Sequence, residues 1–220
     1  MNKRLLLGMS FTAVAVMMFA SPALANELDA FSAVAKVEKK NIDVVVNSVA
    51  PITETGAYGF GVITDAGLDG ILVTTTHGGI KDSEAQTDAS DASFHNHYVA
   101  LQPTEDGSGL CAAEDGLGGL EVKDITFGEP GDVSVIDDVA VFDGPTKFKS
   151  THSLTGDKIK FDTHGPVGAV VAFTITPIDS DGEFTVDTDE LAAVCITVTG
   201  AADPLVDNSV LKNKHHDDDD

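Results

Sequence analysis

A chain of 220 residues with 36 acidic against 13 basic side chains carries a net charge of −23. Such a surface repels nucleic acid and anionic lipid, so nucleic acid is not expected as a partner, and it suits salty media, divalent cations or a cationic partner. The length allows one domain with a substantial core, or a sandwich with long loops.

Residues 1–25 read as a signal peptide. Lys3 and Arg4 give a positive start, residues 5–20 an apolar stretch, and Ala23-Leu24-Ala25 a small-x-small cleavage site. Cleavage after Ala25 would remove both of those basic residues and take the net charge to −25. The mature chain is expected to be exported, to the periplasm, the cell surface or the medium. No later run reaches the ~18–20 apolar residues of a membrane span.

Residues 26–41 place Leu28, Phe31, Val34 and Val37 at helical spacing ahead of Lys39-Lys40, which predicts a short helix or an extended arm. From Ile42 the chain turns β-branched. Residues 58–64 (Tyr-Gly-Phe-Gly-Val-Ile-Thr) read as a strand whose glycines leave one face bare for another backbone or a bulky ring. After a turn at 65–70, residues 71–76 form the second strand of a hairpin. The polar stretch 78–92 reads as a loop of a length that is often functional or disordered. Residues 94–101 form a third strong strand, and 104–119 an irregular Gly- and acid-rich segment holding Cys111.

Residues 120–127 alternate apolar with polar, and 133–142 read as one long strand or a strand pair bent at Asp137-Asp138. Further strands are predicted at 158–161, 168–178 and 191–199, the last carrying Cys195. Residues 204–220 end in His215-His216 and four aspartates and read as a disordered acidic tail. About 8–10 short strands divided by turn signals predict an all-β fold over residues 42–203, an antiparallel β-sandwich or partly closed barrel.

The chemistry concentrates in His95-Asn96-His97. Side chains alternate along a strand, so both imidazoles project from one face with Cα atoms about 6.5–7 Å apart. Two neutral imidazoles so placed share a metal ion readily, and His77, at the end of the preceding strand, is the natural third ligand. Asp82 and Glu84, in the loop between, are the candidate fourth ligands. Three histidines and a carboxylate or water suit Zn²⁺ or Cu²⁺. All four methionines fall within residues 1–25, so the mature chain lacks the thioether of a blue-copper site.

Cys111 and Cys195, an even pair in an exported chain, are expected to form a disulfide. The oxygen-rich run Asp179-Ser180-Asp181-Gly182-Glu183, with Asp187 and Asp189, is a candidate Ca²⁺ site, although it does not fit an EF-hand. No catalytic residue is identified: Ser108, Ser134 and Ser153 lack a nucleophile-elbow setting, and His152 and His164 fall in no triad pattern. The sequence therefore predicts an exported, acidic all-β protein that binds a transition metal through His77, His95 and His97, in metal handling or as a small metalloenzyme. The alternative is a non-catalytic surface, adhesion or assembly module that self-associates through edge strands.

Overall fold

The structure, a computed structural model, describes residues 31–38, 40–104, 109–112, 116–187 and 189–202. The predicted signal peptide, Ser108 and the acidic tail with His215-His216 lie outside the described residues. Twelve strands form among the described residues: β1 (Phe31–Glu38), β2 (Asn41–Ser48), β3 (Tyr58–Thr64), β4 (Ile71–Thr76), β5 (His95–Pro103), β6 (Leu120–Ile125), β7 (Val133–Ile136), β8 (Val139–Pro145), β9 (Lys147–Thr151), β10 (Lys158–Asp162), β11 (Val167–Asp179) and β12 (Leu191–Ala202). Among the described residues no helix is long and apolar enough to cross a membrane.

The fold is all-β and antiparallel, as the sequence predicts. Six strands close into a barrel in the order β11-β12-β6-β5-β4-β3. The closing contact is β11 against β3, with Val170 opposite Val62. A four-stranded sheet, β1-β2-β8-β7, and the hairpin β9–β10 complete the structure.

Strand alternation divides the apolar side chains into two cores. Leu72, Tyr98, Ala100 and Val170 leave the barrel wall outwards and pack against Ile42 and Phe142 of the four-stranded sheet. Their neighbours Ile71, Val73, Val99 and Val171 point the other way, into the barrel. A one-residue shift of β4 or β5 would exchange these sets, so burial on both faces fixes the register. Asn96 belongs to the outward set. Its Nδ2 donates to the backbone carbonyls of Asp132 and Asp143 at 3.0 and 3.1 Å, joining β5 to the sheet beside it.

The glycines of β3 accommodate close neighbours, as expected. A Cβ on Gly59 would meet the Thr74 carbonyl oxygen at 2.2 Å, and one on Gly61 would press on Ile71, Val73 and the Phe173 ring. Residues 133–142 form the strand pair β7–β8 about Asp137, whose positive φ of 53° makes the tight turn.

Of the two expectations for residues 26–41, a short helix or an extended arm, the helix is corrected: the described residues 31–38 are extended as strand β1, paired with β2 from Phe31↔Ser48 to Glu38↔Asn41. The buried positions are Ala33 and Ala35, two apart, while Val34 of the helical pattern is 38 % exposed. The small alanines hide the strand period, and pairing with β2 decides the structure.

Cys111 and Cys195 form the expected disulfide, both fully buried, tying the loop between β5 and β6 to the middle of β12. The bridge closes a separation of 84 residues. The oxygen-rich turn after β11 is a tight hairpin in which Asp179 Oδ1 accepts from the backbone N–H groups of Asp181 and Glu183 at 2.9 Å. Among the described residues its carboxylates do not form a converging ligand group.

Candidate metal centre

The antiparallel pairing of β4 with β5 sets Thr75 opposite His95 and Val73 opposite His97. His95 and His97 thus share the inward face of β5, and His77, one pleat beyond Thr75, extends the same face of β4. The loop that follows returns the chain to this point. Gly79, at φ 106°, donates its N–H to the Ala89 carbonyl at 2.6 Å and turns the backbone inwards. Asp82 then enters the cluster.

Asp82 is held on both sides. Its backbone N–H donates to Oε1 of the buried Gln86 at 3.0 Å, and Gln86 Nε2 donates onward to the Asp91 carbonyl. Its carbonyl accepts from the Ser153 hydroxyl. The Ser83 hydroxyl pairs with Glu129, and the Glu84 N–H donates to the Phe127 carbonyl at 3.0 Å. Glu84 itself points out to solvent towards Gly128 and is not in the cluster, so of the two candidate fourth ligands only Asp82 reaches it.

The four ligand atoms converge. Asp82 Oδ1 lies 3.2 Å from His77 Nε2, 3.3 Å from His95 Nε2 and 3.5 Å from His97 Nε2. His77 and His95 bring their Nε2 atoms to 3.1 Å of each other, and all four atoms lie within 4.8 Å. Four ligands at ~2.0–2.1 Å around a tetrahedral Zn²⁺ stand about 3.3–3.4 Å apart, which matches these edges. The rings fan around the point: His95 meets His77 at 83° and His97 at 88° between planes. All four residues are buried, His97 almost completely.

Protonation follows from the second layer of contacts. His95 Nδ1 is 2.7 Å from the Ser93 carbonyl, and His97 Nδ1 is 2.7 Å from the Thr126 carbonyl. A carbonyl oxygen only accepts, so each Nδ1 carries a proton, which leaves Nε2 as the ring nitrogen turned inwards to ligate. The carboxylate adds a further electron-rich atom. Asp82 Oδ1 and His97 Nε2 are fully buried and have no hydrogen-bond partner. Buried polar atoms without partners are costly, and a cation at the common point would satisfy them together.

The electrostatics favour positive charge. Burial opposes ionisation of Asp82, but His97 charge and the adjacent His77 and His95 nitrogens outweigh it and hold its carboxyl well below the usual carboxylate range. Burial likewise disfavours the His97 imidazolium, yet the Asp82 carboxylate and the Thr126 carbonyl raise its pKa above the ordinary histidine value.

The sequence names His77, His95 and His97 and leaves Asp82 and Glu84 as alternatives; the structure brings Asp82 to the three histidines. Sequence reasoning missed Gln86, Ser153 and the Ser93 and Thr126 carbonyls, which orient them. A buried glutamine inside a polar loop is the only one of these with a trace in the sequence, and nothing there shows its burial. Among the described residues no serine hydroxyl bonds a histidine ring, and Ser153 supports Asp82. His152 and His164 lie near the surface, bonded to backbone groups and outside the cluster.

No family profile, curated protein or solved structure matches the chain.

Proposed function

We propose that the protein is an exported transition-metal protein that holds Zn²⁺ or Cu²⁺ through Nε2 of His77, His95 and His97 and a carboxylate oxygen of Asp82. The observation that carries this reading is the convergence of four buried ligand atoms within 4.8 Å of one another, with Asp82 Oδ1 3.2–3.5 Å from each histidine Nε2. The donor set suits both metals: imidazole nitrogen is common to them, and one carboxylate leaves the bound divalent ion a net positive charge. Export is supported by the leader-like residues 1–25 and by the disulfide, which persists in oxidising compartments.

The metal would supply Lewis acidity at the cluster, and the chain's own residues fix its surroundings. Ser93 and Thr126 hold two rings in the ligating tautomer. Gln86 and Ser153 hold the Asp82 backbone.

The reading of an assembly module is less well supported. β7, one edge of the four-stranded sheet, has only four residues and is flanked by Asp132 and Asp137-Asp138, features that blunt edge pairing.

The test is metal analysis of the folded protein after exposure to Zn²⁺ or Cu²⁺ and removal of free ion, with His95→Ala alongside. One equivalent per wild-type chain and none in the variant is expected. Equal metal in both would reject the site.

A further inference from the structure

The barrel is not filled. A cavity of about 310 Å³ occupies its interior, and every barrel strand contributes to the wall: Ile63, Val73, Val99, Val122, Phe173 and Ile196. Ligand pockets begin at about 300 Å³. At one end of this apolar wall stand His77, Asp82 and His97, three of the four residues of the cluster. Towards solvent the wall includes Leu154 and Phe184, which are 50 % and 64 % exposed. Large apolar side chains left in water beside an apolar cavity form an entrance suited to an apolar molecule.

We infer that the barrel binds a small amphiphile with an apolar body and a single anionic oxygen head, the class of a medium-chain monocarboxylate, with the head on the metal. The inference rests on the metal reading above. Size follows from volume: at about 310 Å³ the cavity stands at the small end of ligand pockets, which suits a medium-chain body better than a larger lipid. The charge of the head follows from the donor set. Three neutral imidazoles and one carboxylate leave a divalent ion with one uncompensated positive charge in a low-dielectric wall, where a single anionic oxygen is the complementary partner. The chain's large net negative charge acts at long range and is screened by salt, whereas the contact at the metal is not. Four protein ligands close a tetrahedral Zn²⁺, so the head would join as a fifth ligand from the cavity side, expanding the coordination to five.

The experiment titrates octanoate, which has ten non-hydrogen atoms, into the Zn²⁺-loaded protein by calorimetry, with metal content measured on each sample. Acetate supplies the head without the body, and octanol the body with a neutral head. One octanoate per chain is expected, bound at least ~100-fold more tightly than acetate, because each buried methylene adds to affinity. Octanol should bind at least tenfold more weakly than octanoate to the loaded protein. Without metal octanoate should lose this advantage and bind no more tightly than octanol, because its carboxylate would be buried without a cation.

Val171→Phe and, separately, Val122→Phe add a ring to the wall away from the cluster. At least one of these variants should fold, take up Zn²⁺ fully and lose octanoate at least tenfold. A loaded wild type that ignores octanoate overturns the inference and leaves the metal site standing. Equal octanoate binding with and without metal overturns the contact with the metal. If no metal binds, the metal reading fails and takes with it the anionic head; the metal content shows which has failed.

Discussion

His77 and His95 face each other through their Nε2 atoms at 3.1 Å, and the His95 nitrogen carries an inward lone pair because its Nδ1–H is committed to Ser93. Asp82 Oδ1 stands within 3.3 Å of both. Such a cluster is held together either by protons, among them a His77 Nε2–H donating to His95 Nε2, or by a metal ion that replaces them. The two alternatives respond differently to mutation and to pH.

The ligand set can be tested inside the loop that sequence reasoning left ambiguous. Asp82→Ala should weaken Zn²⁺ binding at least tenfold, and Glu84→Ala should leave it within about twofold. Gln86→Ala removes no ligand, but it frees the Asp82 N–H, and loss of such a support costs on the order of 10–100-fold in metal affinity. Competition against a chelator of known affinity measures all three. A Glu84 variant as impaired as the Asp82 variant would refute the assignment.

Asn96 separates fold from site. It sits between two ligands in sequence yet points to the opposite face, where it donates to the carbonyls of Asp132 and Asp143. Asn96→Ala should therefore keep Zn²⁺ affinity within a few-fold while lowering stability by roughly 1–3 kcal/mol, the cost of leaving buried acceptors unmatched. Denaturant melts of the metal-free proteins give the second number. Lost affinity at unchanged stability would contradict this division of the two faces.

These residues also show what the sequence made legible. Alternation alone put His95 and His97 on one face, and the end of the preceding strand put His77 beside them. Asp82 and Glu84 looked equivalent because a loop has no period, and contacts distant in sequence chose between them: Ser153 on Asp82, and Phe127 on Glu84. Barrel closure was illegible for the same reason, since β3 and β11 meet across about a hundred residues and no local pattern encodes that pairing. The helical alternative for β1 fails because its inward residues are the small Ala33 and Ala35, while Phe31, Val34 and Val37 mimic a helical stripe.

The disulfide should support the barrel independently of the metal. A bridge across 84 residues contributes roughly 4–5 kcal/mol in the chain-entropy account. Replacing Cys111 and Cys195 by alanine together should lower the denaturant midpoint by a corresponding amount. Zn²⁺ stoichiometry should stay at one, because the cluster stands on β4, β5 and their connecting loop. Coincident melting curves for the two proteins would remove the bridge from the account of stability.

The metal-free and metal-loaded proteins should respond to pH with opposite slopes. In the metal-free protein Asp82 has a depressed pKa, so its contribution is present above the unfolded value of about 4 and is lost as pH falls through the folded one. His97 has a raised pKa, so its contribution is complete below the unfolded value of about 6.5 and is lost as pH rises through the folded one. The ion pair therefore stabilises the metal-free chain most between about pH 4 and 6.5. Zn²⁺ must displace the His97 proton, so its stabilising effect should grow as pH rises above that window. Melting temperatures over pH 4.5–8.5, with chelator or with excess Zn²⁺, measure both slopes. His97→Gln serves as the reference that removes the contribution of all other acids. The difference between wild type and variant should shrink with rising pH under chelator and widen with rising pH under Zn²⁺. If that difference has the same slope in both conditions, the cluster holds a proton and not a metal ion.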